Sequence, residues 1–276
     1  QKTAYEIVSR DWSSDVCSSD LVVGHGLIRR VSIALEQHQI EIEANLRAWQ
    51  GKPLLREIYA GFYRRIVAQM DPALPGRIVE IGSGVGNLKS HLPQAISTDL
   101  FPNPWLDLVC DGYELPFADA SLSHLILFDV FHHLRAPGAF LREARRALHP
   151  QGRVLVFDPF ISLASWPVYG LLHHEPVAIN APINLATELP RPRDYYAAQG
   201  NATRLFFRGE APGWPAGWNV FHREAFSAFH YVLCGGFSKP AMYPASLLGP
   251  LRRLDELLSV CPRLFAARCL VGLTPQ

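Results

Sequence analysis

Hydrophobic residues recur every three to four positions along one early segment of the chain. The apolar residues from Leu54 to Met70 follow this spacing, and two prolines come shortly after it. This period is that of an amphipathic helix, and proline interrupts helices. The pattern therefore predicts a helix over residues 54–70, and a weaker periodicity over residues 27–49 also favours helical structure.

Short apolar runs follow, each closed by polar residues or glycine. They cover residues 77–81, 95–99, 106–110, 125–129 and 153–158. Runs this apolar suit parallel strands that are covered on both faces, and a helix predicted over residues 140–148 supplies a crossover connection. The pattern therefore predicts an α/β domain with a doubly wound, mostly parallel sheet.

Residues 160–220 are rich in proline, glycine, tryptophan and tyrosine and show little periodicity. Long loops in compact domains commonly serve as lids or binding loops, so we predict that this insertion forms a cap over the substrate. After it, the pattern predicts a helix at residues 221–233, a strand near residues 237–243, a helix at residues 248–260 and a last strand at residues 265–273.

The first 20 residues are polar and aperiodic, and their sequence resembles a translated sequencing adapter. We expect them to be a non-native or disordered tail that takes no part in the fold. The predicted layout is then a tail (1–20), an N-terminal helical segment (21–75), a cofactor-binding core (76–159), the cap insertion (160–220) and the C-terminal helices and last strands of the same domain (221–276).

Composition narrows the choice of partners. The 276 residues are 49% apolar and carry a net charge of +1, so nothing indicates a nucleic-acid surface, and a small molecule is the expected ligand. Five scattered cysteines without a CxxC pair favour neither a disulfide framework nor zinc, and they fit a cytoplasmic protein. No apolar run is long enough for a membrane span.

The most informative motif is the glycine-rich stretch at residues 82–86. A predicted strand runs into Gly82, Gly84 and Gly86, and we expect a helix to follow. Glycines allow a tight turn and close approach of a ligand to the backbone. The spacing is GxGxG and not the GxGxxG of dinucleotide-binding proteins, so it argues against a nicotinamide-dependent oxidoreductase.

Acidic residues lie near the ends of the first three predicted strands. These are Glu80, Asp99 and Asp111, the last followed by Gly112. In an open parallel sheet the carboxyl-terminal ends of the strands form the ligand-binding edge. A carboxylate can accept both hydroxyls of a ribose, which suits Asp99, while Glu80 could face a cationic group.

Taken together, these motifs resemble those of class I S-adenosylmethionine-dependent methyltransferases, specifically the methyltransferase type 11-like branch. The resemblance covers residues 76–158 and is carried by the loop at 80–86, Asp99 and the segments 111–117, 128–134 and 147–154. It implies a Rossmann-like, seven-stranded sheet and S-adenosylmethionine as the cofactor.

The resemblance also implies individual roles. The glycine loop would contact the methionine part of the cofactor, Asp99 the ribose, and Asp111 with Gly112 the adenine amine. The full set of predicted cofactor-binding residues is Glu80, Gly82, Ser83, Gly84, Gly86, Asn87, Asp99, Leu100, Asp111, Gly112 and Asp129. One departure is the short link between Asp99 and Leu106, which has no room for the family's usual helix. Its apolar residues, Leu100, Phe101 and Trp105, could form a wall for the adenine in place of that helix.

Histidines mark the substrate side. Methyl transfer needs an aligned acceptor and, for a protonated acceptor, a base, so we predict His133, His174 and Glu175 as catalytic residues. The alternatives are packed histidines that donate to backbone carbonyls at positions 132 and 133, and a helix end capped by histidines at 173–175. Adjacent His-His pairs lack the usual spacing of zinc ligands, so the sequence predicts no metal.

The sequence therefore predicts a cytoplasmic methyltransferase that acts on a small or lipid-like acceptor. The alternative is a catalytically inactive protein that binds S-adenosylmethionine as a sensor or scaffold. Nothing in the sequence decides between oxygen, nitrogen and carbon as the methylated atom.

Overall fold

The computed structural model describes residues 39–173, 175–186, 188 and 196–276. In this part of the chain, seven strands form one sheet with the order β3-β2-β1-β4-β5-β7-β6. Strands β1 to β5 pair in parallel, whereas β7 runs antiparallel to both β5 and β6. The predicted seven-stranded, mostly parallel Rossmann-like sheet is confirmed.

The strands vary in length from two to twelve residues. They are β1 (Arg77–Ile81), β2 (Ile96–Asp99), β3 (Leu108–Val109), β4 (Leu122–Phe128), β5 (Leu148–Pro159), β6 (Trp218–Phe226) and β7 (Arg268–Pro275). The helices are α1 (Pro53–Val67), α2 (Pro137–Ala147), α3 (Phe229–Leu233), α4 (Leu248–Leu258) and α5 (Pro262–Phe265). Residues 39–51 are also helical.

Both faces of the sheet are buried, which explains why the central strands are almost wholly apolar. In β5, Val154 and Val156 pack on the side of α2, while Leu155 and Phe157 pack on the side of α1. Side chains alternate between the faces of a strand, so each apolar run serves two cores at once. The sheet is thereby held rigid, and its strand ends can position a site.

Two predictions for the C-terminal region are wrong. A helix was predicted over residues 221–233, but residues 218–226 form β6 and only Phe229–Leu233 is helical. The side chains of β6 alternate between more and less exposed positions, which is the period of an edge strand. The segment predicted as a strand at 237–243 consists instead of a turn, bends and irregular chain, and it follows Gly235 and Gly236, which both have positive φ.

The helix predicted at 248–260 and the strand predicted at 265–273 agree with α4 and β7 within a few residues, whereas α5 was not predicted. The predicted tail at residues 1–20 lies outside the described residues. Within the described ranges, no helix combines the length and the apolar character that crossing a bilayer requires.

Candidate active site

The glycine loop leaves the carboxyl end of β1 in a left-handed conformation. Gly82, Gly84 and Gly86 have φ of 66°, 53° and 68°, a region that other residues rarely adopt. Gly82 also has no space for a side chain, because a Cβ there would lie 2.4 Å from Cγ2 of Val130. The glycines are therefore required by the backbone, and the loop packs directly against the end of β4.

Ser83 fastens this loop to β2. Its hydroxyl donates to the carbonyl of Glu80 at 3.1 Å and accepts from the N–H of Thr98 at 2.9 Å, while its own N–H donates to the Thr98 carbonyl at 2.8 Å. The side chain is buried. Ser83 thus uses its polar groups to hold the loop in shape.

The helix predicted after the glycine loop is not formed. Asn87–Ser90 makes a single 3-10 turn, and the chain then passes to β2. The link is too short for a full helix, and Pro93 disfavours helical structure at the residue before it. Among the described residues, a 3-10 turn and not an α-helix follows the loop, so a ligand would meet the loop backbone itself.

Asp99 lies at the end of β2 and faces the loop. Its Oδ2 accepts a hydrogen bond from the Gly84 N–H at 3.0 Å. Asn103 approaches from the other side, because its Nδ2 donates to the Gly84 carbonyl at 3.0 Å and its Oδ1 accepts from the Trp105 N–H at 3.0 Å. The link between β2 and β3 therefore supports the glycine loop, as the short spacing without a helix allows.

Glu80 is buried below the loop. It is 3% exposed, and its Oε2 has no hydrogen-bond partner among the described residues. Burial raises the pKa of Glu80 from 4.5 to about 8, and the nearby charge of Asp99 adds to the increase. A buried carboxyl group with an unsatisfied oxygen is costly, so this position is suited to receive a cationic group.

The remaining predicted cofactor residues lie along the same strand ends. Asp111 follows β3 and accepts the Tyr113 N–H at 2.9 Å, and Gly112 lies against Ile81. Leu100 is 50% exposed although it directly follows Asp99. An exposed leucine at this edge offers an apolar surface to a ligand.

Asp129, another predicted cofactor-binding residue, follows the end of β4 and forms an ion pair. It has a positive φ of 55°, and its carboxylate forms an ion pair with Arg268. Arg268 is buried and lies over the rings of Phe157 and Tyr231. Asp129 thus joins the start of β7 to the end of β4.

A buried histidine–carboxylate pair lies just beyond. His132 Nδ1 is 2.8 Å from Oδ1 of Asp158, and both residues are buried. Burial alone would lower the pKa of His132, but the carboxylates of Asp158 and Glu175 raise it to about 10. His132 is therefore packed, as one alternative held, yet its partner is a carboxylate and not a backbone carbonyl.

His133 and Glu175, two of the predicted catalytic residues, lie close together in the structure although they are far apart in sequence. His133 Nε2 lies 3.5 Å from Oε1 of Glu175, and His132 Nε2 lies 3.4 Å from Oε2 of the same residue. The Nδ1 atom of His133 donates to the carbonyl of Tyr196 at 2.9 Å. Burial, together with the charge of His132, lowers the pKa of His133.

Two further residues complete this cluster, and neither was predicted for the site. Asp158 closes an apolar run, so its position at a strand end could have indicated a site residue. Gln199 lies in the aperiodic insertion, where the sequence gives no such signal. The Nε2 of Gln199 donates to Glu175 at 2.9 Å and contacts His173 Nδ1 at 2.7 Å. The turn Val168–Leu172 ends just before His173. His174, the third predicted catalytic residue, lies outside the described residues.

Comparison with known proteins gives this arrangement a class. Residues 79–156 match the family described as a methyltransferase domain, of the type 11 branch. The matched segment begins in β1, carries the glycine loop, Asp99, Asp111 and both histidines, and ends in β5. No curated protein matches the sequence of the whole chain.

Several solved structures of methyltransferases align with this chain. One is a methyltransferase from Thermotoga maritima with 14% identity, which covers 86% of this chain and 99% of its own, with a TM-score of 0.49. Another is a methyltransferase from Mesorhizobium loti, with 17% identity, coverage of 76% and 96%, and a TM-score of 0.43. A third is geranyl diphosphate C-methyltransferase from Streptomyces coelicolor A3(2), with 11% identity, coverage of 79% and 81%, and a TM-score of 0.46.

The family match and the strand order define a class I S-adenosylmethionine-dependent methyltransferase domain. Residues 79–156 therefore form an S-adenosylmethionine-dependent methyltransferase domain, and S-adenosylmethionine is its cofactor.

Proposed function

We propose that this protein transfers a methyl group from S-adenosylmethionine to a small or lipid-like acceptor. The observation that carries the proposal is the contact between Gly82 and Val130. It joins the glycine loop to the segment that holds His132 and His133. The residues that would bind the cofactor and those that would accept a proton therefore lie at the same end of the sheet.

The cofactor-binding residues fit this ligand. The unsatisfied oxygen of Glu80 would receive the ammonium group of the methionine part, and the glycine loop offers a backbone that a ligand can approach. Asp99 would hold the ribose hydroxyls, and Asp111 with Gly112 would lie by the adenine amine. The exposed side chain of Leu100 would cover the base.

The cofactor supplies an electrophilic methyl group on a sulfonium, and the residues of this chain align the acceptor and remove its proton. We assign proton removal to His133 and Glu175, whose side chains face each other at 3.5 Å. His174 is a further candidate from the sequence. Asp158 and Gln199 would orient the pair through His132 and Glu175.

Residues 160–220 would form the acceptor cap. The Ala198 N–H donates to the His132 carbonyl at 2.9 Å, so the insertion is attached directly to the histidine segment. Its buried Phe206 packs against Phe131, which brings apolar surface beside the cluster. An apolar cover with few polar groups suits a small or lipid-like acceptor and not a nucleic acid.

We also propose a cytoplasmic location. The scattered cysteines support it, because Cys110, Cys234, Cys261 and Cys269 are free thiols.

Calorimetric titration with S-adenosylmethionine and S-adenosylhomocysteine tests the cofactor half of the proposal. We expect both to bind, and Asp99→Asn to weaken binding. Asp119→Asn is the matched control, since Asp119 is exposed and pairs only with Arg146 among the contacts described. Failure of both ligands to bind would contradict the proposal.

A panel of oxygen, nitrogen and carbon acceptors, with S-adenosylhomocysteine formation as the readout, tests the transfer half. We expect turnover with at least one small or lipid-like acceptor. Cofactor binding without turnover on the whole panel would favour the sensor or scaffold alternative.

A further inference from the structure

We propose that His132, His133 and Glu175 bind a divalent transition-metal ion of the Zn²⁺ type. One ligand atom from each residue can be chosen so that all three lie within 4.8 Å of one another. The two histidine Nε2 atoms are 3.4 Å and 3.5 Å from the Glu175 oxygens. Ligands about 2.0–2.2 Å from a tetrahedral ion lie roughly 3.3–3.6 Å apart. Each histidine nitrogen lies within this range of one of the two carboxylate oxygens, so small side-chain rotations would allow the three residues to share an ion.

The orientation of the two rings supports the same conclusion. His133 Nδ1 faces the Tyr196 carbonyl, which can only accept, so this nitrogen carries the proton. His132 Nδ1 faces the Asp158 carboxylate. Metal-binding histidines commonly donate their second ring N–H to a carboxylate or a backbone carbonyl, and both arrangements occur here.

Glu175 is held in place as a ligand would be. Its side chain is 10% exposed, and Gln199 donates to Oε2 at 2.9 Å. The adjacent histidines lack the usual spacing of zinc ligands along the chain. Glu175 reaches the histidines from the insertion, so the third ligand comes from a distant segment.

The donor set selects the kind of ion. Two imidazoles and one carboxylate suit Zn²⁺, Fe²⁺ or Co²⁺, whereas Mg²⁺ and Ca²⁺ prefer sites made of oxygen atoms. Three protein ligands leave at least one coordination position for water or for an oxygen of the acceptor. With the ion bound, His133 and Glu175 would act as ligands and not as free bases, and the ion would take over the activation of the acceptor. A metal-bound hydroxyl loses its proton more readily than a free one, so the ion would favour acceptors that present oxygen.

Direct metal binding tests this proposal without reference to methyl transfer. The full chain is stripped with a chelator and titrated with Zn²⁺ by calorimetry, and with Co²⁺ by visible spectroscopy. We expect one ion per chain and the visible bands of a low-coordinate cobalt site. Glu175→Gln and His133→Gln should each weaken affinity at least tenfold.

The control variant is His222→Gln. His222 also faces a carboxylate, with Nε2 3.6 Å from Glu224, but it lies on β6 and belongs to no three-residue group among the described residues. We expect its metal affinity to equal that of the unchanged protein. Circular dichroism checks that each variant is folded, and if His133→Gln does not fold, Glu175→Gln decides alone.

Asp158→Asn tests the positioning role of the buried carboxylate. Loss of such a partner typically weakens metal affinity about 10–100-fold, and it should also shift the Co²⁺ bands, which a purely structural effect would not do. Absence of saturable binding, or equal binding by Glu175→Gln, would overturn the proposal. So would an equal loss of affinity in His222→Gln.

Discussion

The carboxylate of Asp99 accepts a hydrogen bond from the backbone N–H of Gly84 at 3.0 Å. This contact ties the end of β2 to the centre of the glycine loop. The same carboxylate is the candidate partner of the cofactor ribose. Its two possible functions, shaping the loop and binding the ligand, can be separated by substitution.

Asp99→Ala should weaken S-adenosylhomocysteine binding by about 1–3 kcal/mol, because a hydrogen bond to a charged group is lost. Asp99→Asn keeps an acceptor for the Gly84 N–H but lacks the charge, so it should lose less. Calorimetric titration measures both. An unchanged affinity in Asp99→Ala would remove Asp99 from the ribose role.

Glu80 predicts a pH dependence of stability. Because burial raises its pKa from 4.5 to about 8, the folded state holds the proton more tightly than the unfolded state. Its contribution to stability is therefore complete below pH 4.5 and decreases as the pH rises toward about 8, by at most roughly 1.4 kcal/mol per pH unit.

Glu80→Gln removes this titration. The variant should gain stability relative to the unchanged protein as the pH rises, and thermal melting of both proteins across this range measures the difference. Asp119→Asn, which alters an exposed carboxylate, serves as the control. Parallel melting curves for Glu80→Gln and the unchanged protein would contradict the assignment.

Two glycines of the loop should differ in their tolerance of alanine. At both Gly82 and Gly84 alanine meets a positive φ, at a cost of about 1–2 kcal/mol. Gly82→Ala also forces a Cβ to within 2.4 Å of Val130, which adds about 1–3 kcal/mol, whereas the nearest atom at Gly84 is 3.9 Å away.

Urea denaturation measures these free energies of unfolding. Val130→Ala combined with Gly82→Ala should recover part of the loss, with Val130→Ala alone as the reference. If Gly82→Ala and Gly84→Ala lost the same free energy of unfolding, the contact with Val130 would not contribute to the intolerance of Gly82 to alanine.

Asn103→Asp should loosen the glycine loop. The variant keeps the oxygen that accepts from Trp105 but loses the donor to the Gly84 carbonyl, a loss of about 1 kcal/mol. Asn184→Asp is the matched control. The Oδ1 atom of Asn184 accepts from the Ala186 N–H in a similar exposed turn, and Asn184 does not contact the glycine loop. In urea unfolding and in cofactor titration, Asn103→Asp should lose more stability and more affinity than Asn184→Asp. Identical behaviour of the two variants would refute the role of Asn103 in supporting the loop.

The positions of the parallel strands along the chain could be predicted because their apolar runs carry the necessary information locally. β1 has the same bounds as its apolar run. The positions of Gly82 and Asp99 at the ligand-binding edge could be predicted because each lies at the end of such a run. β6 was missed because its alternation is weak and its sequence also contains helix-forming residues. The convergence of His132, Asp158 and Glu175 could not be predicted, because it depends on the path of an aperiodic insertion.

The position of β7 between β5 and β6 determines when the sheet can be completed during synthesis. β6 pairs with β7 alone in the described sheet, and Arg268 at the start of β7 is the partner of Asp129. During synthesis β6 leaves the ribosome with both of its edges unpaired, and it acquires its neighbour only when the following segment emerges. Neither the pairing of β7 with β5 and β6 nor the Asp129–Arg268 contact can therefore form before β7 has left the ribosome.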